Sequence, residues 1–462
     1  MGKISALSQD QGSGAVDWNV KVSAPRKRKI SGRGLRVAYI ALLAFMVIYC
    51  ARPEDWVPGL GAVPLEKISA VLALAGLLSS IWSIRERLPR EVVYLILLTG
   101  QLFAAALFSS VSWHVGLHQA LEFAKVLPIV IVIVLCIRTM TRFRSLIFVQ
   151  ALSVSVVAAV TVWKGNFIQG RLYGVIGSDF ADANTLALAI IITLPLCLAF
   201  LMLSKEWIWK LYWAVAILVM LYAVFLTGSR GGFFALIMCA AVGLWEFGIR
   251  RRRYVLLVIV ALAGVVFWQA SGEMLRGRLE GILSPKDAVA AAGDLAAQAY
   301  ASTQQREQLL SRSIDLTLKN PLFGVGPGNF IQLSGNWHVT HNAYTEMSSE
   351  AGIPALVLYV LILWTGFANL NKTKRLPHVK RDIKLFAAGL HASLAGFIVG
   401  SFFLSVAYQF FIYFLVTYTT ALVYIARQSA ARSQEHQLPH EATREENLHG
   451  RRESIAPLWH LS

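Results

Sequence analysis

Acid is scarce in this chain. Asp and Glu number 26 against 43 Lys and Arg, and charged residues of both signs make up only 15% of 462 positions. That share is well below the roughly 25% of soluble domains, which excludes an ordinary water-soluble protein of this size. Cysteine is scarce too. Cys50, Cys136, Cys197 and Cys239 each lie inside an apolar run, so they read as small buried side chains and imply no disulfide framework. Several catalytic signatures are missing. There is no Gly-x-Ser-x-Gly elbow and no His-Glu-x-x-His, and no Gly-Lys-Ser/Thr follows the glycines at 324–328. No Asp-x-Asp pair stands in the first outer loop, which argues against glycosyltransferases that use a lipid-phosphate sugar and a divalent ion. The first 35 residues are polar and end in Arg26-Lys27-Arg28-Lys29, without the early apolar region of a cleavable signal. No internal repeat or inverted hydropathy symmetry is visible, which counts against a secondary transporter.

What the chain has is apolar length. Hydrophobic residues make up 56% of it. A bilayer span needs about 20 mostly apolar residues, and counting such runs predicts twelve spans. They fall near 36–51, 67–84, 91–111, 121–137, 145–163, 184–203, 208–228, 232–249, 254–270, 352–370, 384–406 and 409–426. The expected fold is an all-α polytopic membrane protein. Its divisions are a disordered cytoplasmic tail (1–35), spans one to nine (36–270), an extracytoplasmic loop with short helices (271–353), spans ten to twelve (352–426) and a second disordered cytoplasmic tail (427–462). Most of the Lys and Arg fall in alternate connections, including Arg250-Arg251-Arg252-Arg253 and the cluster from Lys372 to Lys384. The positive-inside rule then places both termini in the cytoplasm and the long loop outside, facing the periplasm of a Gram-negative inner membrane. Basic residues dispersed as membrane anchors in this way argue against nucleic-acid binding, despite the net charge of +17.

The long loop holds most of the polar chemistry. Residues 287–300 are alanine-rich and read as helix. Residues 303–319 read as an amphipathic helix with Leu309, Leu310, Ile314 and Leu318 at helical period, ended by Asn320-Pro321. Gly324-Val325-Gly326-Pro327-Gly328 reads as a shaped turn. Arginine is unexpected on the outer side. Arg171 follows the fifth span, and Arg230 sits in the turn Thr227-Gly228-Ser229-Arg230-Gly231-Gly232. Each is either a snorkelling or paired residue or an anion ligand; a planar guanidinium suits diphosphate, and flanking glycines let a headgroup approach the backbone. His341 is either a structural loop histidine or a general base, since imidazole titrates near neutrality. His338, His341, Glu346 and Glu350 also have a spacing that gathers metal ligands on one helical face, though they match no zinc-protease pattern.

At these residues the sequence resembles the O-antigen ligase and polysaccharide polymerase superfamily of bacterial membrane proteins. The resemblance is carried by Thr227 to Gly232, by Arg306 ahead of Asn320-Pro321-Leu322-Phe323-Gly324-Val325-Gly326-Pro327-Gly328-Asn329-Phe330, and by His341-Asn342 with Glu350-Ala351-Gly352. Arg171 with Asn184 resembles the family's upstream Arg and Asp-Pro-Asn element, with Ala183 in place of proline. A tryptophan common after the loop arginine is replaced by Leu309-Leu310, which leaves Arg276 and Arg278 as alternatives to Arg306. The resemblance extends over about 165–370.

It implies a lipid-sugar glycosyltransferase architecture that transfers a glycan from undecaprenyl diphosphate to a hydroxyl on the periplasmic face, with no metal, nucleotide or other cofactor. Its partners would be that donor, a glycan or lipid A core acceptor, and membrane lipids. In such a mechanism His341 takes the acceptor proton, and Arg230, Arg306 and Arg171 hold the diphosphate. Asn342, Asn184, Glu346 and Glu350 support them, with one glutamate orienting His341. The motifs do not separate a ligase from a polymerase. A lipid-linked glycan transporter and a non-catalytic scaffold are the more distant alternatives.

Overall fold

The computed structural model describes residues 33–248, apart from 58, 80–87, 169 and 175–180, and residues 294–453, apart from 336. Within them the chain is almost wholly helical. The longer helices are α1 (Arg33–Ala51), α2 (Leu65–Leu78), α3 (Arg90–Leu107), α4 (Trp113–Ala124), α5 (Val126–Cys136), α6 (Met140–Lys164), α7 (Ala183–Leu203) and α8 (Trp207–Leu226). They continue as α9 (Arg230–Phe247), α10 (Asp294–Lys319), α11 (Ala343–Arg375), α12 (Arg381–Gly400) and α13 (Phe410–Glu453). A two-residue hairpin pairs β1 (Phe167–Ile168) with β2 (Arg171–Leu172).

Ten candidate spans occur among the described residues, so the protein is an all-α polytopic membrane protein. Of the twelve expected spans, 254–270 lies outside the described residues, and so does the end of 67–84, of which α2 shows 14 residues. The span expected at 121–137 begins earlier, at Trp113, and is built from α4 and α5. The break falls at Lys125 because Pro128 has no N–H to offer the carbonyl of Ala124.

Burial separates the centre of the bundle from its rim. The spans of α7, α12 and α13 are 78%, 72% and 83% buried, whereas α8 and α9 are 28% buried and turn apolar side chains outward. Pro195 inside α7 deprives the Ile191 carbonyl of its helical donor, and the Cys239 thiol of α9 supplies one at 3.6 Å. All four cysteines are buried and free.

The helix α11 is broken at Gly352, whose φ is +84°. A break in this setting needs new partners for the freed backbone groups. Val325 N donates to Ser349 O at 2.8 Å and Gly326 N to Glu350 O at 2.9 Å. Gln101 of α3 donates to Ala351 O at 2.9 Å and to Leu322 O at 2.7 Å. Ile353 N donates to Pro321 O at 2.8 Å. The glycine turn at 324–328 is thereby clasped to the break, and the two chains touch. A Cβ on Gly352 would lie 2.3 Å from Leu322 O, and one on Gly324 would lie 2.4 Å from the Glu350 carbonyl carbon. Gly352→Ala combines this clash with a left-handed backbone, so it is expected to cost about 3 kcal/mol or more. The thermal midpoint of the purified protein in detergent would report it as a fall of several degrees.

Two expectations need correction. The loop's alanine-rich and amphipathic segments form one helix, α10, of 26 residues, and positions 287–293 lie outside the described residues. Of the expected stripe of Leu309, Leu310, Ile314 and Leu318, only Leu309 lies on the inward face, which it shares with Ser313, Leu316 and Thr317; the other three are exposed. Arg306 projects from this same face by helical spacing. Thr317 also shares a hydrogen bond with Ser348 of α11 at 2.9 Å. Leu309 and Leu316 pack with Val325 and Phe330, and this cluster together with the Thr317 contact sets the roll of the helix. At the other end of the chain, α13 remains helical to Glu453 where a disordered tail was expected from Arg427. The Ala, Gln, Glu and Arg there are good helix formers.

Candidate active site

The polar residues of interest collect at the end of the bundle where α7 and α9 begin and α8 ends. The turn into α9 is built by three successive devices. Gly228 takes φ +57° to close α8. Ser229 caps α9 by accepting the Gly232 N–H at 3.1 Å. Arg230 is then the first residue of the helix, with its side chain at the mouth of the turn, where its guanidinium donates to Thr303 of α10 at 2.9 Å.

Arg171 reaches the same turn from β2. Its Nε donates to Thr227 O at 2.8 Å and its Nη2 to Asn184 Oδ1 at 2.7 Å. One planar side chain therefore joins β2, the end of α8 and the start of α7. Asp182 caps α7, accepting from Asn184 N at 2.9 Å and Thr185 N at 3.1 Å. Arg306 enters from α10, one turn after Thr303.

These charges act on one another. Burial first, and then the like charges of Arg230 and Arg171, pull Arg306 down to about 10, while Asp182 pulls it back. The charges of Arg171, Arg230 and Arg306 thus act on one another, with Asp182 opposing them at Arg306.

His341 completes the cluster. Burial and then the charge of Arg306 depress its imidazole to about 4, with Asp182 opposing and His338 assisting. The imidazole is therefore neutral at pH 7 and holds a lone pair. Its backbone has φ +53°, an unusual conformation for a residue with a side chain. That conformation is fixed on both sides. The His341 N–H donates to Ser405 Oγ at 2.9 Å, and Ser405 also bonds Thr340 at 2.9 Å. Asn342 caps α11, accepting from Tyr344 N at 2.9 Å and Thr345 N at 3.1 Å.

Glu346 and Glu350 do not orient His341, contrary to expectation. Glu346 accepts from Ala407 N at 3.1 Å. Glu350 accepts from Gly328 N at 2.8 Å, Phe330 N at 3.3 Å and the Tyr408 hydroxyl at 2.8 Å. Both carboxylates fasten backbone, so they shape the floor beneath the site. With its N–H groups bonded to Ser349, Glu350 and the Glu350 carboxylate, the glycine turn is no phosphate cradle. Glu350→Ala leaves three donors without acceptors and is expected to cost on the order of 3 kcal/mol, read as a lowered thermal midpoint.

Sequence reasoning missed four contributors. Asp182 was legible as a helix cap two residues before Asn184. Thr303 was legible as a neighbour of Arg306 one turn away. Ser405 and Tyr408 sit in a short connection with no periodic or motif signal. Arg276 and Arg278 lie outside the described residues. A cavity of about 690 Å³ opens beside Tyr408, lined among others by Tyr49, Arg52, Lys67 and Phe410, but it touches neither the arginines nor His341.

Residues 215–360 match the family model described as O-antigen ligase, a stretch that includes Arg230, Arg306, His341 and Glu350. No curated protein matches the chain. A solved structure from work on a peptidoglycan synthase complex, concerned with coordinating polymerization and crosslinking, is similar at 16% identity and a TM-score of 0.43. That similarity covers 74% of this chain and 97% of the other.

Proposed function

We propose that this membrane protein, whose residues 215–360 match the O-antigen ligase model, belongs to the O-antigen ligase and polysaccharide polymerase superfamily and transfers a glycan from undecaprenyl diphosphate to a hydroxyl acceptor such as the lipid A core. The reaction takes place at the periplasmic face of the inner membrane, with both termini in the cytoplasm, and uses no metal or nucleotide. The observation that supports this is the convergence of Arg171 from β2, Arg230 with its guanidinium on Thr303 of α10, and Arg306 one turn along α10, whose charge also acts on His341. A diphosphate diester brings two negative charges, which guanidinium groups gathered in this way suit.

The acceptor oxygen attacks the anomeric carbon, and the bond from that carbon to the diphosphate oxygen breaks. The electron pair leaves with undecaprenyl diphosphate, and the acceptor proton passes to the His341 imidazole. Diphosphate is a good leaving group, so no strong acid is required at the leaving oxygen. The negative charge that develops there is stabilised by preorganised guanidinium groups in a site of low dielectric. Direct displacement inverts the anomeric configuration. Arg171 already spends two donors on Thr227 and Asn184 and acts chiefly through its charge. Arg230 and Arg306 are then the direct ligands of this proposal.

A polymerase would use the same groups with a second lipid-linked glycan as acceptor. Purified protein given donor alone separates the two. Elongated lipid-linked product identifies a polymerase. A product that forms only when lipid A core or another acceptor is added identifies a ligase.

A further inference from the structure

A second polar site lies at the opposite end of the bundle. There the chain turns at Arg138-Thr139 between α5 and α6, enters α12 at Lys380 to Asp382, and runs along α13 from Gln428 to Ser433. A cavity of about 430 Å³ opens between these stretches, lined by Arg138, Thr139, Lys380, Asp382, Ser429 and Arg432 among others. Each stretch lies at the end of a candidate span: spans close at Cys136 and Ser433 and open at Met140 and Arg381. The cavity therefore sits at the border of bilayer and water.

Its chemistry is that of an anion site. Three cations line it against one carboxylate. Arg138 lies over the Tyr424 ring, 4.3 Å from its centroid. Among the described residues neither Lys380 nor Arg432 takes part in an ion pair. Asp382 accepts its neighbour's N–H, from Ile383, at 2.9 Å. The Ser429 hydroxyl is buried and has no hydrogen-bond partner. The N-termini of α6 and α12 end at the cavity and add the positive ends of two long helices.

We infer that this cavity binds a phosphate group, carried either by the headgroup of an anionic phospholipid in the adjacent leaflet or by a soluble phosphate compound. Basic pockets between spans at this depth suit anionic headgroups. An occupant there clamps α6, α12 and α13, and so braces the two helices whose opposite ends flank Ser405 and Tyr408.

The test is native mass spectrometry of the full chain in detergent, with phosphatidylglycerol, phosphatidylcholine and inorganic phosphate as probes. Phosphatidylglycerol is expected to be retained over phosphatidylcholine. The pair Lys380→Gln with Arg432→Gln is expected to weaken its binding about thirtyfold, roughly fivefold per cation. The pair Lys205→Gln with Lys372→Gln removes as much charge from exposed positions outside the cavity and is expected to leave binding unchanged. Displacement by millimolar inorganic phosphate, with no phosphatidylglycerol retained, assigns the cavity to a soluble phosphate. Equal losses in the two pairs of variants would overturn the proposal, as would binding of neither probe above phosphatidylcholine. Because the readout is binding, it stands or falls separately from the transferase assignment.

Discussion

Replacing His341 with alanine is expected to reduce glycan transfer by about 10²–10⁴-fold, the span of a lost general base. The His341 N–H is held by Ser405 whatever the side chain, so the loop keeps its anchor. His341→Asn provides a control, because asparagine tolerates the left-handed backbone that this position requires. The two variants are expected to be equally inactive, with His341→Asn at least as well folded as His341→Ala.

The pH profile gives a sharper signature. Without donor the imidazole titrates at about 4, below its usual 6.5. The acid limb of kcat/KM, which reports the free enzyme, should therefore fall near pH 4. Two negative charges of a bound diphosphate favour the imidazolium, so the limb of kcat should lie at higher pH. That upward movement brings the base closer to the pKa that proton transfer at neutral pH requires. The sign for stability is the opposite of a paired histidine. Between pH 6.5 and 4 the unfolded imidazole takes a proton that the folded one refuses, so stability falls as the pH is lowered through that window.

The second large effect is expected at Arg306. Arg306→Gln should lower kcat/KM by about 10²–10³-fold, the loss seen when one preorganised electrostatic donor is removed. Arg306→Lys should recover little of it. Lysine lacks the two-pronged geometry, and its lower starting pKa shifts more readily on burial. The same site pulls even arginine down to about 10, and a lysine, which starts lower, would be pulled closer to neutral pH. Arg230→Gln should behave alike, whereas Arg171→Gln should also loosen the joint between β2, α7 and α8. Comparing KM with kcat across the series, measured against purified lipid-linked donor, separates donor binding from the chemical step. Loss confined to thermal stability in Arg306→Gln would contradict its place as a diphosphate ligand.

Hydropathy made most of the fold legible. Runs such as 184–203 and 384–406 are too apolar and too long to be anything else, and the structure has helices there. Arg230 stood out because a charge in a glycine-rich turn between two spans must be paired, snorkel or bind an anion, and its guanidinium is set on Thr303 of α10. Legibility failed where the deciding partner is distant in sequence. Glu350 looked like a companion of His341 because the two are close in the chain, yet its partners are Gly328, Phe330 and Tyr408. The roll of α10 was only partly legible: of Leu309, Leu310, Ile314 and Leu318 just Leu309 is packed, because Ser313, Leu316 and Thr317 share its face toward Val325, Phe330 and Ser348. The break in α11 was hidden because Gly352-Ile353-Pro354 reads as the entry to a span. It shows as a break only when Val325 and Gly326 are seen to satisfy the freed carbonyls.

The central claim is that the arginine cluster holds an undecaprenyl-diphosphate-linked glycan while His341 deprotonates the acceptor. It is tested most directly by incubating the purified full chain with that donor and an acceptor, in the presence of a metal chelator and without nucleotide, and measuring release of undecaprenyl diphosphate. Release coupled to glycan on the acceptor, at least a hundredfold slower in His341→Ala and Arg306→Gln, is the predicted result. Equal release by the wild type and both variants would contradict it.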